Sequence, residues 1–345
     1  MVKYFTTGAN ANVSKQGGFE ARSGALEQLE KFKNRCWIDM VNPDDGECDE
    51  VSALTGVPED MIKAALDDNE RARTEFDDGC SMFVVDCPLI EESDNGDSYT
   101  TLPLALIYND KCIITVCLKG NTVLKEFITG RERVICENPL LFVLKFMLGN
   151  AKRFLYCLKQ IDRKTHRIQS EMGRTMRNSE IIQLLDLQNS LVYFSTSLNS
   201  NARVHEKLFK VEGVATREEM LDLYDDVIIE GKQAIETCNI YKNILSVTMD
   251  AYGSVISNNA NDTMRKLTII TIILAIPTMI AGFWGMNMTV PFQTGEDNTS
   301  TVWFWVVIAA TAVLTVAIAL LILKSSSFNT ITRRKKKKRK DKKEK

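Results

Sequence analysis

The sequence predicts a membrane protein in three parts: a soluble N-terminal α/β region, a stretch of very long helices, and a C-terminal pair of membrane-spanning helices. Three observations predict it. Leu267 to Trp284 and Val302 to Leu323 are apolar and carry no internal charge; each is close to the roughly 20 residues that cross a hydrocarbon core. No proline lies between Pro139 and Pro277, and leucines, isoleucines and charges recur there at helical spacing. Ahead of residue 135, short apolar or alternating runs are separated by turn residues.

Taken in order, the runs Cys36 to Val41, Ser81 to Leu89, Thr101 to Tyr108 and Cys112 to Leu118 read as strands. Asn109-Asp110 marks a hairpin turn between the last two. Glu59 to Leu66, preceded by Pro58, reads as a helix. A mixed sheet with flanking helices over residues 1–135 follows. Residues 136–266 read as long cytosolic helices: one or two to about Lys210, a turn near Gly213, then a helix capped by Thr216 with Glu218 and Glu219 in its first turn. That last helix has no stop signal before Trp284, which makes it about 69 residues and roughly 100 Å long. The first span covers 267–286, an outer loop 287–301, the second span 302–323, and a basic tail 324–345. Pro277 implies a mild kink in the first span. Trp303 and Trp305 mark the second span as lipid-facing with an interfacial aromatic belt.

Charge fixes the orientation. The chain has 43 Lys and Arg against 45 Asp and Glu, a net charge of −2. The tail Arg333 to Lys345 holds 11 of the bases and 2 of the acids, which leaves a body near −11. Arg265 and Lys266 abut the first span and Lys324 follows the second, whereas the loop Met288 to Thr301 has no Lys or Arg but carries Glu296 and Asp297. Both termini are therefore expected in the cytoplasm, with a multi-pass chain in the cell (plasma or inner) membrane. An acidic body with a basic end argues against a nucleic-acid binder. Met1 to Asn12 is polar, so no signal peptide is expected. The nine cysteines form no CxxC pair and several sit among apolar residues, which reads as reduced, buried thiols. His166 and His205, the two histidines, read as surface residues.

The candidate functional residues crowd the first span. Gly285-Met286-Asn287 places a glycine and a side-chain amide where the span ends, as a cation entrance would need. Glu296 and Asp297 would raise the local cation concentration there; a solvated turn with incidental acids would give the same sequence. At the inner end, Asn261, Met264/Arg265, Thr268, Thr271 and Ala275 fall on one stripe by steps of three and four. Oxygen donors suit a hard hydrated cation, and an apolar ring closes a pore by dewetting; small hydroxyls that only pack between helices would give the same pattern. Two helices cannot enclose a polar path, and one Asn carbonyl is a single ligand where Mg2+ takes about six oxygens, so several copies around an axis are expected. The chain shows no nucleophile–base pairing, metal-ligand spacing or GxxxxGK[ST] loop, and reads as not an enzyme.

These residues resemble the CorA family of divalent cation channels. The resemblance rests on Gly285-Met286-Asn287 after Trp284 at the end of the first of two C-terminal spans. It extends through Ser257 to Met264, Leu267-Thr268, Asp226 to Asp250 and the strand-rich N-terminus. It implies a funnel-shaped homopentamer with an α/β/α cytosolic domain, the first span lining a pore for divalent cations through the lipid bilayer. Gly285, Met286 and Asn287 would form the Mg2+-selecting mouth, Met264 and Leu267 the hydrophobic gate, and Asn261 and Asp250 polar positions along the path. Cytosolic Mg2+ bound between subunits would close the channel, with Asp226 and either Asp67 or Asp68 as its acids. Mg2+ is thus expected as both cargo and regulator, with Co2+ or Ni2+ as further cargo. The chain departs from the pattern at Ala275, small where some relatives are bulky, and in the further acids Asp222, Asp225 and Glu230 near Asp226. The competing readings are a zinc or efflux transporter of the same fold and a membrane-anchored cytosolic interaction protein. Zinc prefers imidazole and thiolate ligands, and none sits near the mouth.

Overall fold

The computed structural model describes residues 2–6, 20–22, 36–77, 79–93, 96–132, 136, 138–172, 178–211, 214, 217–285 and 305–321. The chain divides into two compact units, Met1–Met249 and Asp250–Lys345.

The first unit is organised by a seven-stranded sheet. Its strands are β1 (Val2–Thr6), β2 (Glu20–Arg22), β3 (Cys36–Val41), β4 (Arg73–Asp77), β5 (Cys80–Ser93), β6 (Gly96–Tyr108) and β7 (Cys112–Cys117), in the order β2-β1-β3-β7-β6-β5-β4. Only β3 and β7 pair in parallel, with Cys36 opposite Cys112; the other neighbours are antiparallel. The sheet is mixed, as the sequence predicts. Its central strands are continuous apolar runs because both faces are covered and successive side chains point to opposite faces. Trp37, Phe83, Val85, Leu104, Leu106 and Ile113 enter one core. Their neighbours Ile38, Met82, Val84, Ala105, Ile107 and Ile114 enter a second.

Helices α1 (Asp45–Thr55) and α2 (Glu59–Lys63), the latter continued by a 3-10 turn Ala64–Leu66, cover the second core. A capping box opens α1: Asp44 Oδ1 accepts from the Glu47 amide at 2.7 Å, and Glu47 accepts from the Asp44 amide at 3.2 Å. Gly56 closes it at φ 78, a left-handed conformation that favours glycine. The first core is covered by α3 (Thr122–Ile128) and the early part of α4 (Pro139–Met172). Pro139 stands at the first helical position of α4, with the Asn138 side chain accepting from the Leu141 amide at 3.2 Å. The layers are therefore helices, sheet, helices.

Two further long helices follow, α5 (Asn178–Leu208) and α6 (Glu218–Trp284). Where the sequence predicts one continuous helix to Trp284, α6 runs for 67 residues. Its early part buries Met220, Tyr224, Val227, Ala234, Cys238 and Leu245, spaced by sums of three and four along one seam. Cys238 lies 3.4 Å from the Leu191 carbonyl of α5, and Gln169 of α4 reaches the Thr248 hydroxyl at 3.3 Å. In the second unit a shorter apolar helix, α7 (Trp305–Leu321), falls inside the second predicted span.

Several elements differ from the sequence reading. β5 and β6 run past Leu89 and ahead of Thr101 as a long hairpin, and β1, β2, β4, α1 and α3 were not anticipated. The Asn109 turn holds: its amide bonds the Cys112 carbonyl at 3.1 Å, and its side chain accepts from the Lys111 and Cys112 amides. All nine cysteines are buried and unbridged. Burial pushes Cys112 and Cys117 up to about 12, which keeps them as thiols. Gly213 and Thr216 lie outside the described residues.

His166 is exposed and stands 3.5 Å from Asp162. His205 is not a surface residue; it is 6% exposed. With Asn201, Val204 and Leu208 it occupies the buried stripe of α5. Desolvation of the charged imidazolium lowers its pKa to about 4.

Two expectations follow. His205 binds its proton near 6.5 when unfolded and near 4 when folded, so its contribution is intact above 6.5 and is lost as pH falls toward 4, by about 3 kcal/mol. Asp39 and Asp86, whose pKa values burial raises, act in the opposite sense. The measurement is therefore the difference in thermal midpoint between wild type and His205→Gln from pH 7 to 4; parallel curves would remove the assignment. Separately, a Cβ on Gly149 of α4 would stand 2.6 Å from Val123 Cγ1 of α3. Overpacking of about 1–3 kcal/mol exceeds the roughly 1 kcal/mol that alanine returns as a helix former. Gly149→Ala should lower the midpoint, and Val123→Ala in that background should restore part of the loss.

Candidate functional site

The C-terminal half of α6 carries the residues that the sequence singles out. From Asp250 the chain reaches Ser254, Ser257, Asn261, Met264, Thr268, Thr271, Ala275, Thr278, Gly282 and Gly285 by alternating steps of four and three. A step averaging 3.5 residues keeps these positions on one slowly winding stripe of an α-helix. Every one of them is exposed in the single chain. The apolar members are open as well, with Met264 67% and Leu267 65% exposed. Helix α6 contains a window apolar enough to cross a membrane, none of it buried within the chain. An apolar surface of this extent needs lipid or another protein surface as its neighbour.

Four hydroxyl groups of this stripe share one geometry. Ser254, Thr268, Thr271 and Thr278 each donate to the carbonyl four residues earlier, at 3.1, 2.9, 2.8 and 2.9 Å. A hydroxyl has one proton and two lone pairs, so spending the proton on the backbone leaves an oxygen that can only accept. From Thr268 to Gly285 the stripe thereby offers acceptors to its surroundings without carrying formal charge. Away from the stripe, Pro277 lacks an N–H, so the Ile273 carbonyl loses its usual helical donor. Leu267 to Gly285 contains no ionisable side chain. Asp250 and Asp262, both exposed, supply the carboxylates nearest the N-terminal end of that stretch.

Gly285 ends the helix, with its amide bonded to the Ala281 carbonyl at 2.9 Å. A Cβ there would meet the same oxygen at 3.3 Å, so a side chain would crowd the last turn. Met286, Asn287, Glu296 and Asp297 lie outside the described residues.

In the first unit, Asp226 is exposed on α6. Asp67 and Asp68 are exposed in the turn after the 3-10 segment, where Asp67 accepts from the Asn69 amide at 2.9 Å and Asp68 from the Asn69 side chain at 2.5 Å. Among the described residues of one chain, no three His, Cys, Asp or Glu side chains converge as metal ligands would. The three acids do not form a metal site within one subunit.

The sequence reading passed over a set of exposed apolar residues on the early part of α6: Ile229, Ile240, Ile244 and Val247, between 48% and 68% exposed. Their separations of eleven, four and three residues place them on one face. That spacing was legible, but the charges between them (Glu230, Lys232, Glu236, Lys242) read as a solvated helix.

Comparison with known proteins settles the family. A family profile described as CorA-like Mg2+ transporter protein matches residues 32–325. The chain belongs to the CorA-like Mg2+ transporter family. The cobalt/magnesium transport protein CorA of Methanocaldococcus jannaschii is 26% identical over 281 residues, covering 79% of this chain and 84% of that protein. CorA of Thermotoga maritima is 22% identical over 241 residues, covering 69% and 68%. In fold, the complete structure of the CorA magnesium transporter from M. jannaschii matches with a TM-score of 0.72 at 21% identity, over 94% of this chain and 96% of that one. The ZntB cytoplasmic domain from Vibrio parahaemolyticus matches with a TM-score of 0.54 at 12% identity, over 75% and 98%; that likeness is one of fold alone. The CorA match places the chain among membrane transporters and accounts for both the helix–sheet–helix unit and the long helices.

Proposed function

We propose that the chain forms a passive, potential-driven channel for Mg2+ uptake, in a homo-oligomer whose ion path is lined by the outer half of α6. The observation that carries this reading is the acceptor stripe. The protons of its Ser254, Thr268, Thr271 and Thr278 hydroxyls are committed to the backbone, so at those positions a ring of such helices would present oxygen lone pairs to an ion and its water shell. That chemistry suits Mg2+, a hard cation that keeps several waters. It suits zinc less, because no imidazole or thiolate lies between Asp250 and Gly285. Mg2+ therefore stands ahead of Zn2+ as cargo, with Co2+ and Ni2+ as further cargo.

In this reading Gly285, Met286 and Asn287 form the outer mouth, and the Asn287 amides of several copies, five by the family resemblance, hold the ion through its waters. Glu296 and Asp297 concentrate cations in front of it. Met264 and Leu267 form the apolar constriction, with Asn261, Thr268, Thr271 and Asp250 as polar stations on either side. The exposed face of Ile229, Ile240, Ile244 and Val247 supports an assembly, since a second copy would remove it from water. A divalent ion gains about 4.6 kcal/mol per 100 mV of membrane potential, roughly a two-thousandfold concentration ratio, so inward flux needs no nucleotide. Cytosolic Mg2+ closes the path by binding between subunits at Asp226 and Asp67 or Asp68.

Three outcomes test this. In liposomes with an inside-negative potential, Asn287→Ala should abolish Mg2+ entry while the oligomer remains intact by size-exclusion; undiminished entry would sink the mouth assignment. Thr268→Val, which keeps the shape and removes the acceptor, should slow flux several-fold while Thr268→Ser does not. Asp226→Ala should move the inhibition curve for internal Mg2+ to higher concentration, and an unmoved curve would transfer regulation elsewhere. A chain that only anchors a cytosolic interaction domain would pass no ions in any of these experiments.

A further inference from the structure

The first unit contains a pocket that the transport reading does not use. It opens between β5, β6, the end of β7, the loop that follows, α3 and α4, with a volume of about 210 Å3. At about 30 Å3 per water, that is room for several waters or one small solute. Its lining includes Leu104, Cys87 and Cys117. Three cationic side chains line it, Lys119, Lys125 and Arg153, and no carboxylate does. This inverts the charge of a body that is otherwise strongly acidic.

The three cations are not equally engaged. Lys119 is ion-paired with Glu91. Among the described residues Lys125 and Arg153 have no carboxylate partner. Lys125 lies over the loop at Gly120, where a Cβ would be in ordinary contact with its Cε at 3.6 Å and its Nζ at 3.8 Å. The Arg153 guanidinium sits 4.7 Å above the centre of the Tyr156 ring, which fixes its plane. Its Nε is covered and has no acceptor. A buried charged donor left without an acceptor is rare and destabilising.

We propose that this pocket binds a phosphate-class oxyanion, with the Arg153 fork and the Lys125 ammonium as its principal contacts and Lys119 as a third that Glu91 holds in check. A planar guanidinium pairs two phosphate oxygens at once, and two unpaired cations match a dianion. The acidic body repels anions at long range, so contact charge at this pocket would supply the affinity. The assignment goes beyond the transport reading and does not rest on it.

The test is titration calorimetry of the full-length protein in detergent micelles, with inorganic pyrophosphate and with glycerol 3-phosphate as probes. Saturable binding of one equivalent per chain is expected, weakening as sodium chloride is added. Arg153→Gln should weaken it about tenfold or more, and so should Lys125→Gln, a change at an exposed position that leaves the fold intact. Glu91→Gln, which releases Lys119, should tighten it several-fold. Preference for pyrophosphate supports the site with a soluble phosphate compound as its source; preference for glycerol 3-phosphate supports it with a lipid headgroup as the source. No saturable heat overturns the proposal. Binding of equal strength in wild type and both weakening variants also overturns it, because it would then report the basic tail Arg333 to Lys345.

Discussion

The architecture depends on how one sheet edge is finished. Strand β4 pairs with β5 only as far as Arg73 opposite Val84, whereas β5 continues to Ser93. Beyond Val84 that side of β5 would leave its amides and carbonyls without partners, an outcome buried backbone avoids. Two buried asparagines take the place of the missing strand. Asn201 of α5 accepts from the Asp86 amide at 2.8 Å and donates to the Asp86 carbonyl at 2.8 Å, and Asn150 of α4 donates to the same carbonyl at 2.8 Å. One residue of backbone thus ties both long helices to the sheet. Replacing either amide by an apolar side chain would strand groups that water cannot reach, which is why residues so polar sit 3% and 2% exposed.

From that clasp the remaining helical packing follows. With α4 and α5 fixed, the seam of Met220, Tyr224, Val227, Ala234 and Cys238 has a surface to cover, and the early turns of α6 are set by it. The opposite situation holds from Asp250 on, where almost every α6 side chain is exposed in the isolated chain. One helix is therefore stabilised in its first part by its own subunit. In its second part it depends on lipid and, in the proposed assembly, on other copies. Helical propensity alone does not stabilise such a length; packing partners do.

Much of this was legible in the sequence, for identifiable reasons. Strands β3 and β7 are seen because burial on both faces makes them uninterrupted apolar runs. The continuity of α6 is seen because nothing between Thr216 and Trp284 breaks a helix except Pro277, which the helix tolerates. The misses have an equally physical origin. β4 reads Arg-Thr-Glu-Phe-Asp because it is a half-exposed edge, and the ends of β5 and β6 extend beyond the core into polar sequence. α1 is an acidic surface helix with only Cys48, Val51 and Thr55 buried. His205 has polar neighbours in sequence, Arg203, Glu206 and Lys207, but Asn201, four residues before it, and Leu208, three after it, are buried. The clasp at Asp86 could not be foreseen, since it joins residues 64 and 115 positions apart.

The back-bonded threonines have a consequence for what can and cannot regulate the proposed path. A wall built from carboxylates would change character as protons come and go, and a wall of freely rotating hydroxyls could turn its hydrogens toward an anion. Here each hydroxyl is locked by the helix beneath it, so its polarity is set by backbone geometry and not by solution conditions. Acidity then has no handle on the stretch Leu267 to Gly285. The only ways to alter it are to turn the helix about its axis or to change its distance from its neighbours. In the proposed assembly, control of such a conduit would be mechanical and would arrive along the helix from groups that do carry charge.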